Sequence, residues 1–288
     1  MNDWIRAPQE RDGQYRAANE KMIGRVIEGL DVDGGGSTGG GARVVFNTAS
    51  EHVPDILEGG YKNTYDLGSR PRRVGDEPPQ SRRERVDDAV VAAVERKTGQ
   101  HRQLTPGDLY FGAVEVNGSG MRYYGDICLV LREVDPDQVV LYRNSYDLVR
   151  EPLRSIAEDD PGLMADEAVL LAGSWADVPE MVIAKLDDTL GMPLRRLLTT
   201  AAVSAGVMDD EDYLEAPVTH SFSKADIAEA RTTAADAAIE GMIAERSDRG
   251  PAPSVTELIW RASRRTAVRA LLDAEIPVVV AHHGRQRA

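Results

Sequence analysis

The segments patterned as strands lie together in the middle of the chain instead of alternating with helices. "ARVVFNTAS" begins at residue 42, and "DLYFGAVEV", "MRYYGDICLVLRE" and "QVVLYRNSYDL" follow between residues 108 and 148. β-Branched and aromatic residues dominate these runs, a composition that suits a pleated, half-buried surface. Alternation with helices would predict a doubly wound parallel sheet. Clustering predicts an α+β fold with a mainly antiparallel central sheet. "NGSG", between the second and third runs, predicts a tight β-hairpin.

Helical periods flank this centre. Tyr15, Ala18, Met22, Val26 and Leu30 share one face and predict a helix over 14–30. A short helix is expected from Val53 to Glu58, stopped by Gly59 and Gly60. Residues 63–80 carry no period and read as a loop. Ser81 and Glu84 form a capping-box pattern, and Val86, Val90 and Val94 line one face as far as Gly99. In the last third Pro193 opens a helix, and Ser223 is expected to cap another from Lys224 to Arg246. Ser254 with Glu257 caps a third that reaches about Ala274. "VPEMVIAKL" is a short strand candidate, and "IPVVVAHH" closes the chain as a buried-looking strand. The expected organisation is an N-terminal helical arm (1–33), a hinge (34–41), an α+β core (42–187) and a helical region ending in a strand (188–288), packed on the core.

Within the hinge, Gly34-x-Gly36-x-x-Gly39 matches the spacing of a dinucleotide-binding loop. That loop follows a strand and opens a helix, so that the helix N-terminus meets the pyrophosphate. Here the glycines follow a helical period and open a strand, and no lysine follows Gly39. The run reads as a flexible linker.

Composition excludes several classes. A net charge of −14 repels a nucleic-acid backbone, so nucleic acid is not an expected partner. No run approaches the ~20 apolar residues of a membrane span, and the polar N-terminus lacks the apolar core of a signal peptide. The expected location is the cytoplasm, with no membrane partner. The single cysteine, Cys128, excludes an internal disulfide and reads as a small buried apolar residue. His52, His101, His220, His282 and His283 are scattered without metal-ligand spacing, so no metal site is expected. No G-x-S-x-G elbow is present. Arg70, Arg72, Arg73, Arg82, Arg83 and Arg85 form a tract that reads either as a solvated charged face or as a phosphate clamp. Since 29 of the 34 basic residues are arginine, compositional bias favours the solvated face.

The order of these pieces resembles the ADP-ribosyltransferase-like fold of bacterial toxin domains and phage-associated modules. "FNTASEHVPDILEGGYKN" has the outline of that family's first strand, short helix and glycine, with Asn47 where the family carries arginine or histidine. Tyr124, Gly125 and Asp126 match a "YG-acid-apolar" strand, and Asn144, Ser145 and Tyr146 stand where a Ser- or Tyr-bearing strand is expected. Glu180, in "DVPEMVIA", best fits the place of the catalytic glutamate, although Val178 two residues earlier breaks the paired pattern of arginine-modifying members. The similarity spans about residues 42–187.

The resemblance implies an NAD-consuming ADP-ribosyltransferase or NAD glycohydrolase, a toxin, effector or phage-associated protein with NAD as co-substrate. Glu180 would stabilise the positive charge that develops on the nicotinamide ribose, with Ser145 supporting it. Asn47 and Thr48 would hold the ribose, and Tyr124 or Tyr146 would stack on the nicotinamide. Read without the resemblance, Glu180 is a surface carboxylate at a strand start. The neutral Asn47 favours an alternative, a catalytically degenerate scaffold that binds a protein partner through its helical region. The alanine-rich helical faces there also suit homo-oligomer contacts.

Overall fold

The computed structural model describes residues 42–70, 81–99, 104–115, 118–135, 137–145, 161–178, 181–182 and 213–281. The glycine run, the 14–30 helical period, the Pro193 segment, Tyr146 and Glu180 lie outside these residues.

A single eight-stranded sheet organises everything described. Its strands are β1 (Arg43–Thr48), β2 (Tyr110–Glu115), β3 (Ile127–Leu131), β4 (Val139–Leu141), β5 (Ala172–Ser174), β6 (Glu215–Val218), β7 (Ile227–Thr233) and β8 (Val278–Ala281), in spatial order β5-β4-β6-β2-β1-β3-β7-β8. Every pairing is antiparallel except β7 with β8. The fold is thus α and β mixed, with a mostly antiparallel sheet. Three of the strands come from beyond residue 188, so the segment read as helical contributes to the same sheet as the core.

β1 is the axis. It pairs with β2 through Val44↔Val114 and with β3 through Phe46↔Leu129. Five of its six residues are buried, as expected of a strand covered on both faces. The hairpin expected at "NGSG" is therefore corrected: β2 and β3 do not pair with each other but flank β1. Their connection crosses the end of β1 instead. It is tied there by Asn47 Nδ2, which donates to Ser119 O (2.9 Å) and Gly125 O (3.2 Å).

Period-two alternation divides the core. Val44, Phe46, Val114, Leu129, Val140 and Leu214 face α1 (Val53–Gly59), whose Val53 and Ile56 pack against them. The opposite face at the β4–β5 end carries Val139 and Leu141 toward α2 (Arg82–Thr98) and α3 (Pro161–Leu171). Val86, Val90 and Val94 are buried there, as their spacing predicted, each burial contributing roughly 1.5–3 kcal/mol. Ser81 Oγ accepts from Glu84 N (3.2 Å), and Gly99 ends the helix at φ 63°. α4 (Ala234–Arg249) and α5 (Val255–Asp273) connect β7 to β8. α5 adds Ala267 and Leu271 to the α1 side of the core, and its Ser254–Glu257 capping box is formed.

Three further expectations are corrected. The helix expected from Lys224 to Arg246 begins instead at Ala234. Ser223 caps only a single turn, Lys224–Asp226, after which "IAEARTT" is β7. Its alanines favour a helix locally, but pairing with β3 on one side and β8 on the other outweighs that preference. Thr233 then caps α4 by accepting from Asp236 N (3.1 Å). In "VPEMVIAKL" the described residues Val178, Met181 and Val182 are helical, not extended. The closing strand β8 is an edge, with Val279 and Val280 about 40% exposed. Among the described residues no helix is long and apolar enough to cross a membrane.

Candidate functional site

A cleft of about 720 Å³ opens between the end of β1, α1, the segment 60–70 that follows it, and α2. Its floor is made by β2, β6 and the connection that crosses β1.

Glu215 occupies the floor. As the first residue of β6 it stands opposite Ala113 of β2 and Leu141 of β4, and its residue surface is only 2% exposed. β4 ends four residues before Ser145, which delivers that residue to the carboxylate. Ser145 N donates to Oε2 (2.8 Å) and Ser145 Oγ to Oε1 (3.3 Å), with Ser145 itself fully buried. Burial pushes the Glu215 carboxyl up to about 7. The Arg83 charge and the two Ser145 bonds oppose that rise, and the Asp87 charge adds to it.

Tyr213 lies two residues before Glu215, hence on the same face. Burial, then the charge of Glu215, raises its hydroxyl far above the ordinary range, and its side chain hydrogen-bonds Tyr124. Tyr124, 44% exposed, stands at the mouth. Tyr61, which also lines the cleft, stacks on Phe222 (4.8 Å between centroids, 15° between planes), and burial raises its hydroxyl too. Two aromatic surfaces therefore border the opening.

The α2 wall is charged. Asp87, with its side chain 1% exposed, accepts from Tyr65 OH (3.0 Å) and Arg70 Nη1 (3.1 Å), and Arg83 Nε lies 2.8 Å from its other oxygen. Burial raises the Asp87 carboxyl above its ordinary value, with Arg83, Tyr65 and Arg70 opposing. Tyr65 is pushed up to about 12 by burial and by the Asp87 charge. Two members of the arginine tract, Arg70 and Arg83, thus line the cleft and are held in place by one carboxylate.

Of the residues singled out in the sequence, Asn47, Thr48 and Tyr124 border this cleft, and Ser145 joins it through Glu215. Asn47 also ties the chain together at the cleft edge. It is buried, both Nδ2 hydrogens go to backbone carbonyls, and its Oδ1 faces Gly120 without a hydrogen-bond partner. Sequence reasoning missed Glu215, Tyr213 and Asp87. The available signal was the run Tyr213-x-Glu215, two polar residues alternating with buried Leu214, Ala216 and Val218. Among the described residues no histidine, cysteine and carboxylate cluster suited to a metal occurs.

The arrangement joins a carboxylate pushed up to about 7 by burial, two guanidinium groups held beside it and aromatic walls. Such a set can stabilise a developing cation, hold phosphate oxygens and stack a planar ring. The chain matches no protein-family model, no curated protein and no solved structure.

Proposed function

We propose that the cleft takes NAD or a related nucleotide and that the protein is an NAD-consuming ADP-ribosyltransferase or NAD glycohydrolase with an ADP-ribosyltransferase-like fold. The observation that carries this reading is the Ser145–Glu215 pair on the cleft floor. It offers a serine-supported carboxylate of the kind the resemblance implies, here Glu215 on β6.

In this reading the nicotinamide ring enters between Tyr61 and Tyr124, and the ribose C1′ comes to rest over Glu215. The C1′–N bond breaks with its electron pair leaving on the nicotinamide nitrogen, which departs neutral. Positive charge then spreads over C1′ and the ring oxygen, where ionised Glu215 stabilises it. Water or an acceptor nucleophile adds to C1′ and releases its proton to solvent or to a neighbouring base. Arg70 and Arg83 meet the pyrophosphate. Ser145 keeps the carboxylate aimed by binding both of its oxygens.

One observation favours a second reading, a degenerate scaffold that binds a protein partner: both Nδ2 hydrogens of Asn47 go to backbone carbonyls. Calorimetric titration with NAD and assay of released nicotinamide, on the native protein, Glu215→Gln and Glu180→Gln, decide between them. Turnover lowered by about 10²–10³ in Glu215→Gln and retained in Glu180→Gln is expected. Absence of both binding and turnover at millimolar NAD in the native protein would leave only the scaffold.

A further inference from the structure

We infer that Arg83 is a positioning residue of this site, a fixed countercharge to Glu215 delivered by α2, and that Asp87 sets how much of that charge Glu215 receives. Arg83 and Asp87 are four residues apart on one helix face, and Arg83 Nε is 2.8 Å from Asp87 Oδ1. The guanidinium also lies over the ring of Phe111, 5.1 Å from its centroid. Phe111 precedes Ala113 by two residues on β2, and Ala113 is the register partner of Glu215, so the ring and the carboxylate share one face of the sheet. Arg83 is thus held from two sides beside the floor, with its side chain 20% exposed.

Among the described residues, these groups act on Glu215. From α2 come Arg83, which favours its ionised form, and Asp87, which disfavours it. From its own strand comes Tyr213. The register partners on β2 and β4, Ala113 and Leu141, carry none. Ser145 contributes hydrogen bonds without charge. In so dry a site a nearby cation shifts the carboxylate strongly toward its ionised form. Arg70 and Tyr65 enter through Asp87: by binding its other oxygen they spread its charge and leave Arg83 freer to act on Glu215.

The catalytic consequence rests on the reading of Glu215 as the reacting carboxylate, but the electrostatic relation does not, and the test separates the two. The carboxyl carbon of Glu215 is followed by NMR in protein labelled at its glutamates, the signal being assigned by its loss in Glu215→Gln. Nicotinamide release from NAD is measured over pH 5–9 on the same proteins. Arg83→Gln is expected to raise the titration midpoint of Glu215 by about one unit or more, Arg83→Lys to keep it near the native value, and Asp87→Asn to lower it. The rising limb of the rate profile should move with each midpoint. Opposite shifts from two neighbouring residues are a signature that simple loss of packing does not produce. A midpoint unmoved in Arg83→Gln, or moved the same way in Asp87→Asn, overturns the inference. Should Arg83→Gln not fold, Asp87→Asn decides alone: a lowered midpoint supports the relation, and an unchanged or raised one overturns it. Midpoints that shift as expected, with no nicotinamide released by any protein, support the relation while removing the NAD reading.

Discussion

Arg264 on α5 and Asp126, the residue just before β3, 138 residues apart in sequence, form a buried ion pair with Nη1 2.8 Å from Oδ2 and side chains 3% and 12% exposed. The other oxygen of Asp126 accepts from Ser50 N (2.8 Å) in the turn that leads into α1. A strand, a helix and the rim of the cleft are therefore joined at one carboxylate. Asp236 of α4 lies 3.7 Å from the same guanidinium nitrogen. Removing the cation leaves two acidic groups without it in a dry environment, so Arg264→Ala should cost about 3–5 kcal/mol. The urea midpoint measures this, and Arg264→Lys should recover only part of the loss, since one ammonium cannot reproduce the planar fork.

Glu215 makes stability depend on pH in the direction opposite to that of most carboxylates. The folded protein holds this proton up to about pH 7, whereas an ordinary glutamate releases it near 4.5. Between these values the native state binds more protons than the unfolded one, so stability falls as pH rises. The contribution is fully present below about 4.5 and is lost as pH passes through about 7, a change on the order of 3 kcal/mol. Denaturation at pH 5 and pH 8 should show this fall in the native protein and a smaller one in Glu215→Gln.

Asn47 is expected to matter more for folding than for binding. Asn47→Ala strips the donors from the carbonyls of Ser119 and Gly125 where the connection crosses β1. Leaving those groups without partners should cost about 1–3 kcal/mol each. Thermal unfolding of Asn47→Ala, together with faster exchange of amide hydrogens across residues 118–125, is the check.

Gly125 permits the close passage of that connection. At φ 155° a Cβ there would lie 2.0 Å from the carbonyl carbon of Thr48, which is backbone and cannot swing aside. Gly68, at φ 68°, has nothing within 4 Å of the same position. Gly68→Ala should therefore cost only the backbone conformation, about 1–2 kcal/mol. Gly125→Ala should cost clearly more, and a side-by-side comparison of denaturation midpoints measures the difference.

What could be read from the sequence was what local physics decides. β1, the valine face of α2 and the serine caps at Ser81 and Ser254 depend on short-range pattern and hydrogen bonding, and they appear where the pattern placed them. Pairing was not legible, because "NGSG" favours a hairpin only if its two strands have no better partner, and β1 takes an edge of each. β7 was hidden for a related reason: alanines in "IAEARTT" suit a helix until two neighbouring strands claim the backbone. Of the residues at the cleft, Ser145, Thr48 and Tyr124 had been singled out through the resemblance. Glu215 had not, since its place on the cleft floor comes from burial between strands far apart in sequence and from Arg83 and Asp87 on a helix more than 125 residues earlier.

The position of β6 between β2 and β4 bears on how the chain comes off the ribosome. Until residue 218 has been made, β2 and β4 each present a bare edge, because the strand that joins them does not yet exist. At about 5–20 residues per second, the interval between the synthesis of β4 and that of β6 lasts several seconds. During it the nascent chain carries two half-sheets with open hydrogen-bonding rows, the form most prone to pairing with a neighbour. A protein cut at residue 187 would keep the β2 and β4 edges that β6 otherwise joins, so a piece that closes them must include the segment that brings Glu215.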